Sequence, residues 1–288
     1  HLLLIGPPGS GKTVLARYLS QLLPPLSNSE LLAVNKIHSL TQHNQKRIIS
    51  HRPFRSPHHS SSIASLLGGT NQLKPGEISL AHKGVLFLDE LTEFKRAAIE
   101  ALRQPLEDKQ IVISKARGQT TYPADFTLVA AANPCPCGYY GSQQKACNCS
   151  SYQRQRYMAK ISGPIKDRFD LSVWVDPVKP QKLSASDLLA EFEQLRENVS
   201  SARQIQLKRY QNLKMATNAQ LSSALIQQTI KLRTQVKKVL LRAVNSLSLS
   251  TRSYFKLIKV ARTIADLESS QEIKLEHMTE AISYRDCL

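Results

Sequence analysis

Apolar residues along this chain fall into two rhythms. In the first 178 positions they bunch into short solid runs at residues 2–5, 85–88, 126–132 and 171–175. Between the runs lie segments of helical character, such as 12–23 and 95–104. Runs that short and apolar on both sides are what a buried, mostly parallel sheet with helices on its faces requires. At 176–182 the sequence Asp-Pro-Val-Lys-Pro-Gln-Lys carries two prolines and no apolar period, and beyond it the strand pattern stops. Helical patterns follow near 184–211, 219–246, 250–269 and 276–286. Leu257, Ile258, Ala261, Ile264 and Ala265 form one stripe with a period of 3.6 residues, and Ser250 or Thr251 is placed to cap that helix. The pattern therefore predicts an α/β domain over 1–178 and an all-helical domain over 179–288.

Two further features lie inside the first domain. The stretch from Lys12 to Asp89 is longer than a helix, a strand and a second helix need, so it predicts an insertion with its tip at 68–76, where two glycines and a proline cluster. Residues 110–122 alternate around Lys115-Ala-Arg117-Gly118, which reads as two strands joined by a turn.

Composition adds a partner class. The chain has 288 residues, with 39 lysines and arginines against 22 aspartates and glutamates, a formal charge of +17. The excess is spread over both domains, which points to a polyanion such as nucleic acid, although basic composition also occurs without one. No window approaches the length of a membrane span and no secretory signal is evident, so the expected compartment is the cytoplasm. His1 is not a natural start, and the first apolar run leads straight into a glycine loop, so sequence is expected to precede this start.

That loop carries the clearest chemistry. Gly6-Pro7-Pro8-Gly9-Ser10-Gly11-Lys12-Thr13 fits G-x-x-x-x-G-K-[ST], with a strand before it and a helix after it. Glycines let backbone amides close around phosphates, the helix N-terminus faces their charge, Lys12 reaches the β and γ oxygens of ATP, and Thr13 ligates Mg²⁺. The run 85–88 ends in Asp89-Glu90, at the strand end where a parallel sheet forms its ligand crevice. Asp89 would hold the metal, and Glu90 would orient and deprotonate the attacking water. The run ending at Ala132 is followed by Asn133, able to hold that water near the γ-phosphate. Arg168, in Gly163-Pro-Ile-Lys-Asp-Arg-Phe-Asp170, offers a cation to the transferring phosphoryl group of a neighbouring subunit, or else a surface ion pair. Arg252, at the start of the striped helix, is a candidate to reach the γ-phosphate, although its position fits an ordinary surface arginine equally.

Four cysteines, Cys135, Cys137, Cys147 and Cys149, form C-x-C, nine residues, C-x-C. Four thiolates so paired can close a structural Zn²⁺ site, leaving no open position for catalysis; free buried thiols are the alternative. His58 and His59 lack acidic or cysteine partners in sequence and read as packing or turn residues.

Read together, these segments resemble the magnesium-chelatase-like AAA+ ATPases, and within them the ComM/YifB branch of bacteria linked to natural transformation. The resemblance covers nearly the whole chain. It is carried by Arg52-Pro-Phe-Arg-Ser-Pro-His-His59, Pro75-Gly-Glu-Ile-Ser-Leu-Ala-His82, the stretch 84–94, Glu100-Ala-Leu-Arg-Gln-Pro-Leu-Glu107, Asn133-Pro-Cys-Pro-Cys-Gly138 and Ala261-Arg-Thr-Ile-Ala-Asp-Leu267. It implies an AAA+ P-loop fold with a helical lid, and a homo-hexameric ring with sites between subunits. Arg168 would be the finger acting in trans and Arg252 the second sensor. It further implies helicase or branch-migration activity on single-stranded or branched DNA. Relatives of that branch carry an N-terminal domain resembling the Lon protease fold, and a segment before the first strand that helps hold adenine. Neither is in this sequence, so weak nucleotide binding is expected of it. In related ring helicases the two insertions project into the central channel, so Lys115 and Arg117 become candidates for DNA phosphates, against the plainer reading of a solvated turn. The same ATP site would also serve a metal-chelatase subunit or a protein-remodelling ATPase.

Overall fold

The computed structural model describes residues 1–41, 48–69, 73–115, 118–143, 145–177, 185–213 and 215–285. Arg117, Cys287 and most of the 176–182 segment lie outside them. The described chain divides into two compact units, His1–Phe169 with Val173–Val178, and Asp170–Ser172 with Lys179–Leu288.

In chain order the first unit contains β1 (Leu2–Ile5), α1 (Lys12–Leu22), α2 (Asn28–Ser39), β2 (Phe54–Arg55), α3 (Ile63–Leu67), α4 (Glu77–Leu80) and β3 (Val85–Leu88). It continues with α5 (Arg96–Glu100), α6 (Arg103–Asp108), β4 (Gln110–Lys115), β5 (Gly118–Pro123), β6 (Thr127–Ala132), α7 (Ser151–Met158) and α8 (Gly163–Lys166), and with β7 (Leu171–Trp174) from Val173 onward. Five strands make one sheet in the order β2-β3-β6-β1-β7. The apolar runs become its strands because both faces are covered. Leu4, Val85, Phe87, Val129 and Ala131 pack with Ala16 of α1 on one face, while the alternate residues Leu3, Ile5, Leu86, Leu88, Leu128 and Ala130 are equally buried.

The strand order places β6 between β1 and β3. Ile5 is in register with Ala132, and Leu88 with Ala130, all parallel. The residues that follow β1, β3 and β6, namely the glycine loop, the acidic pair and Asn133, therefore leave the sheet side by side at one edge.

Two sequence expectations change in detail. The segment 95–104 is two short helices with a break at Ala101 and Leu102, not one. The region from Lys12 to Asp89 contains α2, which the apolar pattern does not disclose. Its start is set by Ser27, which accepts from the Glu30 amide while Glu30 accepts from the Ser27 amide, a reciprocal cap. Gly68 and Pro75 form an antiparallel bridge at the base of the 68–76 loop. The alternating segment does pair as β4 and β5, with Lys115 opposite Gly118.

The second unit contains α9 (Ala185–Tyr210), α10 (Ser223–Thr229), α11 (Thr234–Ser246), α12 (Thr251–Leu267) and α13 (Leu275–Ser283). Leu257, Ile258, Ala261, Ile264 and Ala265 of α12 are all buried, packed with Leu240, Met278 and Tyr210. Ser250 is the cap of α12, accepting from the Ser253 amide at 3.2 Å. The helical pattern at 219–246 is interrupted between α10 and α11, where Ile230 is extended (φ −112°, ψ 107°) and buried in this core. The adjacent β-branched Thr229 and Ile230, with the Thr229 hydroxyl bonded back to Leu225 O at 2.6 Å, favour ending the helix there.

Candidate functional site

After Ile5 the chain turns through the glycine loop. Gly9 and Gly11 hold left-handed backbone (φ 77° and 84°), and Gly11 caps α1, so the turn and the helix start both need residues without Cβ. Lys12 folds back across the loop. Its Nζ donates to the carbonyls of Gly6 and Pro7, both at 2.8 Å, and lies 3.4 Å from Ser10 Oγ and 3.5 Å from Asn133 Oδ1. Burial pulls the Lys12 ammonium below the ordinary lysine range, opposed by the carboxylates of Asp89 and Glu90.

Thr13 Oγ1 donates to Asp89 Oδ2 at 2.7 Å across a sequence separation of 76. A hydroxyl and a carboxylate at that distance are the hard oxygen donors that suit Mg²⁺. Glu90 follows in left-handed backbone (φ 51°, ψ 50°), with its amide donating to Asp89 Oδ1 at 2.9 Å. That conformation is uncommon for a residue with a side chain. The Glu90 side chain is half exposed, and His59 Nδ1 stands 3.1 Å from its Oε2. His59 lies against His58, with ring centroids 4.0 Å apart and the planes tilted by 35°, and is edge-on to Phe94.

Sequence reasoning missed His59. The signal that would have found it is register. Phe54 and Arg55 of β2 pair with Val85 and Leu86 of β3, so residues just beyond β2 run alongside those just beyond β3.

The remaining predicted residues lie on or next to other elements. Arg168 is buried, and its Nη2 donates to Glu107 Oε2 at 2.5 Å, next to the last residue of α6. Arg252 is the second residue of α12 in the second unit and is exposed. Lys115 is exposed at the end of β4.

The four cysteine sulfurs come together, all within 4.8 Å of one another. Cys135 Sγ is 3.4 Å from Cys137 Sγ and 3.6 Å from Cys147 Sγ. A tetrahedral Zn²⁺ with bonds near 2.3 Å sets sulfurs about 3.8 Å apart, so the cluster matches the size of such a site. Amides of Tyr140 and Cys149 donate to Cys135 and Cys147, and a backbone hydrogen bond at Tyr139 helps bring the Cys137 thiol down to about 6. Burial pushes the Cys135 thiol up to about 12; four soft sulfur donors at this spacing suit zinc, whose charge would offset that burial.

A parallel sheet with a glycine loop, an acidic pair and an asparagine at its carboxyl edge, followed by a helical bundle, defines the AAA+ class of P-loop proteins. Residues 1–183 match the family model for "Magnesium chelatase, subunit ChlI", and residues 190–285 that for its C-terminal region. The chain belongs to this magnesium-chelatase-like family, in its ComM/YifB branch. It is 45% identical over 293 residues to "Competence protein ComM" of Haemophilus influenzae, covering 99% of this chain and 55% of that protein. It is 46% identical to "Uncharacterized protein YifB" of Escherichia coli, covering 99% of this chain and 56% of that one. The chain thus spans little more than half the length of these relatives. A more distant match, 32% identical over 46% of the chain, is the "Holliday junction branch migration complex subunit RuvB" of Leifsonia xyli.

Proposed function

We propose that this chain is the ATP-hydrolysing motor of a ring-forming protein that acts on DNA in the bacterial cytoplasm. The observation that carries the hydrolytic part is the Thr13–Asp89 contact at 2.7 Å, with Lys12 and Glu90 beside it. In this reading Gly6, Pro7, Pro8, Gly9, Ser10 and Gly11 wrap the triphosphate with backbone amides, and Lys12 releases its two carbonyl partners to meet the β and γ oxygens. Thr13 and Asp89 hold Mg²⁺, which neutralises charge on the phosphates. Glu90 takes a proton from the attacking water, and Asn133 orients that water. Arg168 exchanges Glu107 for the nucleotide of an adjacent subunit in a hexamer, and Arg252 acts as the second sensor. Cys135, Cys137, Cys147 and Cys149 hold a structural zinc ion.

Three observations favour DNA as the track: the charge of +17, the relative named a competence protein, and the match to a branch-migration subunit. Helicase or branch migration during the integration of incoming strands is the corresponding activity. The family models' own description favours a second reading, an ATPase subunit that drives metal insertion through protein partners. Steady-state ATPase of the full-length protein with and without single-stranded or branched DNA separates the two. Stimulation by DNA supports the motor, whereas stimulation by a protein partner alone overturns it. Glu90→Gln is expected to lower turnover by roughly 10² or more while leaving nucleotide bound, and unchanged turnover in that variant would remove the hydrolytic reading altogether.

A further inference from the structure

The cysteine knuckle touches the phosphate loop. Gly138 directly follows Cys137 and holds left-handed backbone (φ 84°). A Cβ placed there would stand 2.7 Å and 2.8 Å from Pro8 Cγ and Cδ, and 3.9 Å from Asn133 Cγ. The backbone of the knuckle therefore lies directly on Pro8, in the middle of the loop assigned to the triphosphate. On its other side Asn133, which lies 3.5 Å from Lys12 Nζ, precedes the fully buried Cys135 by two residues.

The far end of the knuckle is anchored as well. Arg154 of α7 donates to Cys149 O at 2.6 Å and lies over the Tyr140 ring at 4.4 Å. One turn on, the Tyr157 hydroxyl is 2.6 Å from Thr92 Oγ1 and 3.0 Å from Glu93 Oε1, two and three residues past Glu90. The knuckle and α7 thus bridge the phosphate-loop side and the acidic side of one site.

We infer that metal loading of the Cys135, Cys137, Cys147 and Cys149 site sets the affinity of the phosphate loop for nucleotide, through the contact of Gly138 with Pro8 and the short link from Cys135 to Asn133. This rests on the ATP and zinc assignments above and extends them from a structural staple to a brace. Four thiolates around one soft divalent cation close two loops, so Gly138 has one position. Within the first C-x-C turn the Gly138 amide donates to Cys135 O at 2.9 Å, and the cation would add the tie from that turn to Cys147 and Cys149 that holds Gly138 against Pro8.

The test uses the full-length protein purified without chelators. Zinc is counted by elemental analysis, and the dissociation constant of a fluorescent ATP analogue is measured with Mg²⁺ in three states: as purified, after a thiol-compatible zinc chelator has been applied and removed, and after zinc is returned. The expected result is about one zinc per chain, affinity weakened roughly tenfold on stripping, and recovery on re-addition. Gly138→Ala, which leaves all four sulfurs in place, should keep zinc yet weaken nucleotide binding, because its Cβ must displace Pro8 and its backbone is left-handed. Zinc-independent affinity, or Gly138→Ala with zinc bound and wild-type affinity, overturns the inference, as does a protein that carries no zinc but binds ATP well. A zinc-loaded protein that binds no nucleotide at all would instead remove the ATP assignment on which it rests.

Discussion

His59 Nδ1 lies 3.1 Å from Glu90 Oε2, and Glu90 occupies left-handed backbone at the tip of β3. A carboxylate on so exposed a turn has several rotamers open to it. The imidazole, braced by His58 and Phe94, selects one of them. On the proposed role of Glu90 as general base, His59 is its positioning residue. His59→Ala is expected to lower kcat for ATP hydrolysis by roughly tenfold while the KM for ATP stays within about twofold, since the nucleotide contacts are untouched. Steady-state kinetics of the full-length protein decide it: an equal loss in nucleotide affinity would point to a general collapse of the site instead.

The acid stability of the first unit should depend on His82. Its Nδ1 accepts from the Asp125 amide at 3.1 Å, which requires the neutral ring. Burial foremost, with the neighbouring Lys83 cation, pulls its pKa down to about 4, against Asp125 and Glu30. The unfolded chain takes up this proton near 6.5 and the folded chain only near 4. The stabilisation is therefore complete above about pH 6.5 and is lost as pH falls toward 4, a loss of about 2–3 kcal/mol. Urea unfolding between pH 7 and 4.5 should show that slope, and His82→Gln, which keeps an acceptor, should flatten it.

In the second unit the strongest polar commitment is Asp266. It is fully buried and receives Arg209 at 2.5 and 2.9 Å, Arg262 at 3.1 Å and Asn218 at 2.8 Å. Asp266→Ala leaves two guanidinium groups without their carboxylate, Arg262 almost wholly buried, and is expected to destabilise the bundle by about 3–5 kcal/mol. Loss of helical circular dichroism at lower denaturant concentration is the readout, and a change below about 1 kcal/mol would show that water relieves the cations.

Reversal of charge at Lys115 and Arg117 together, each to Glu, should weaken DNA binding, reduce its dependence on salt concentration and abolish DNA stimulation of ATPase, with basal turnover unaltered. Titration at two salt concentrations checks this. Unchanged binding would return the β4–β5 hairpin to the status of a solvated turn.

Much of the site could be read in advance because its chemistry is local in sequence. Gly6–Thr13, Asp89-Glu90 and Asn133 each follow a run of apolar residues, and a backbone leaving a buried parallel strand has one edge at which to present them. The striped face of α12 was equally plain, since burial of one side of a helix imposes its own period. The split of α5 from α6 was not legible, because the apolar spacing continues through it; the break at Ile230 had a local mark in the β-branched pair Thr229 and Ile230, but an apolar spacing that runs on through it hides that mark. The start of α2 had a local mark, Ser27 with Glu30, in a segment with little apolar period.

The amino-acid sequence by itself determined the class of fold, the residues of the phosphate loop, the acidic pair and the grouping of four cysteines, because each depends on neighbours a few positions away. The tertiary structure decided what those pieces touch. Strand order put β6 between β1 and β3, parallel register brought His59 to Glu90, and chain crossing laid Gly138 on Pro8 and Arg168 on Glu107. Such contacts join residues from about 30 to 130 positions apart, and they follow from how sheets and loops pack, for which a linear pattern carries no signal.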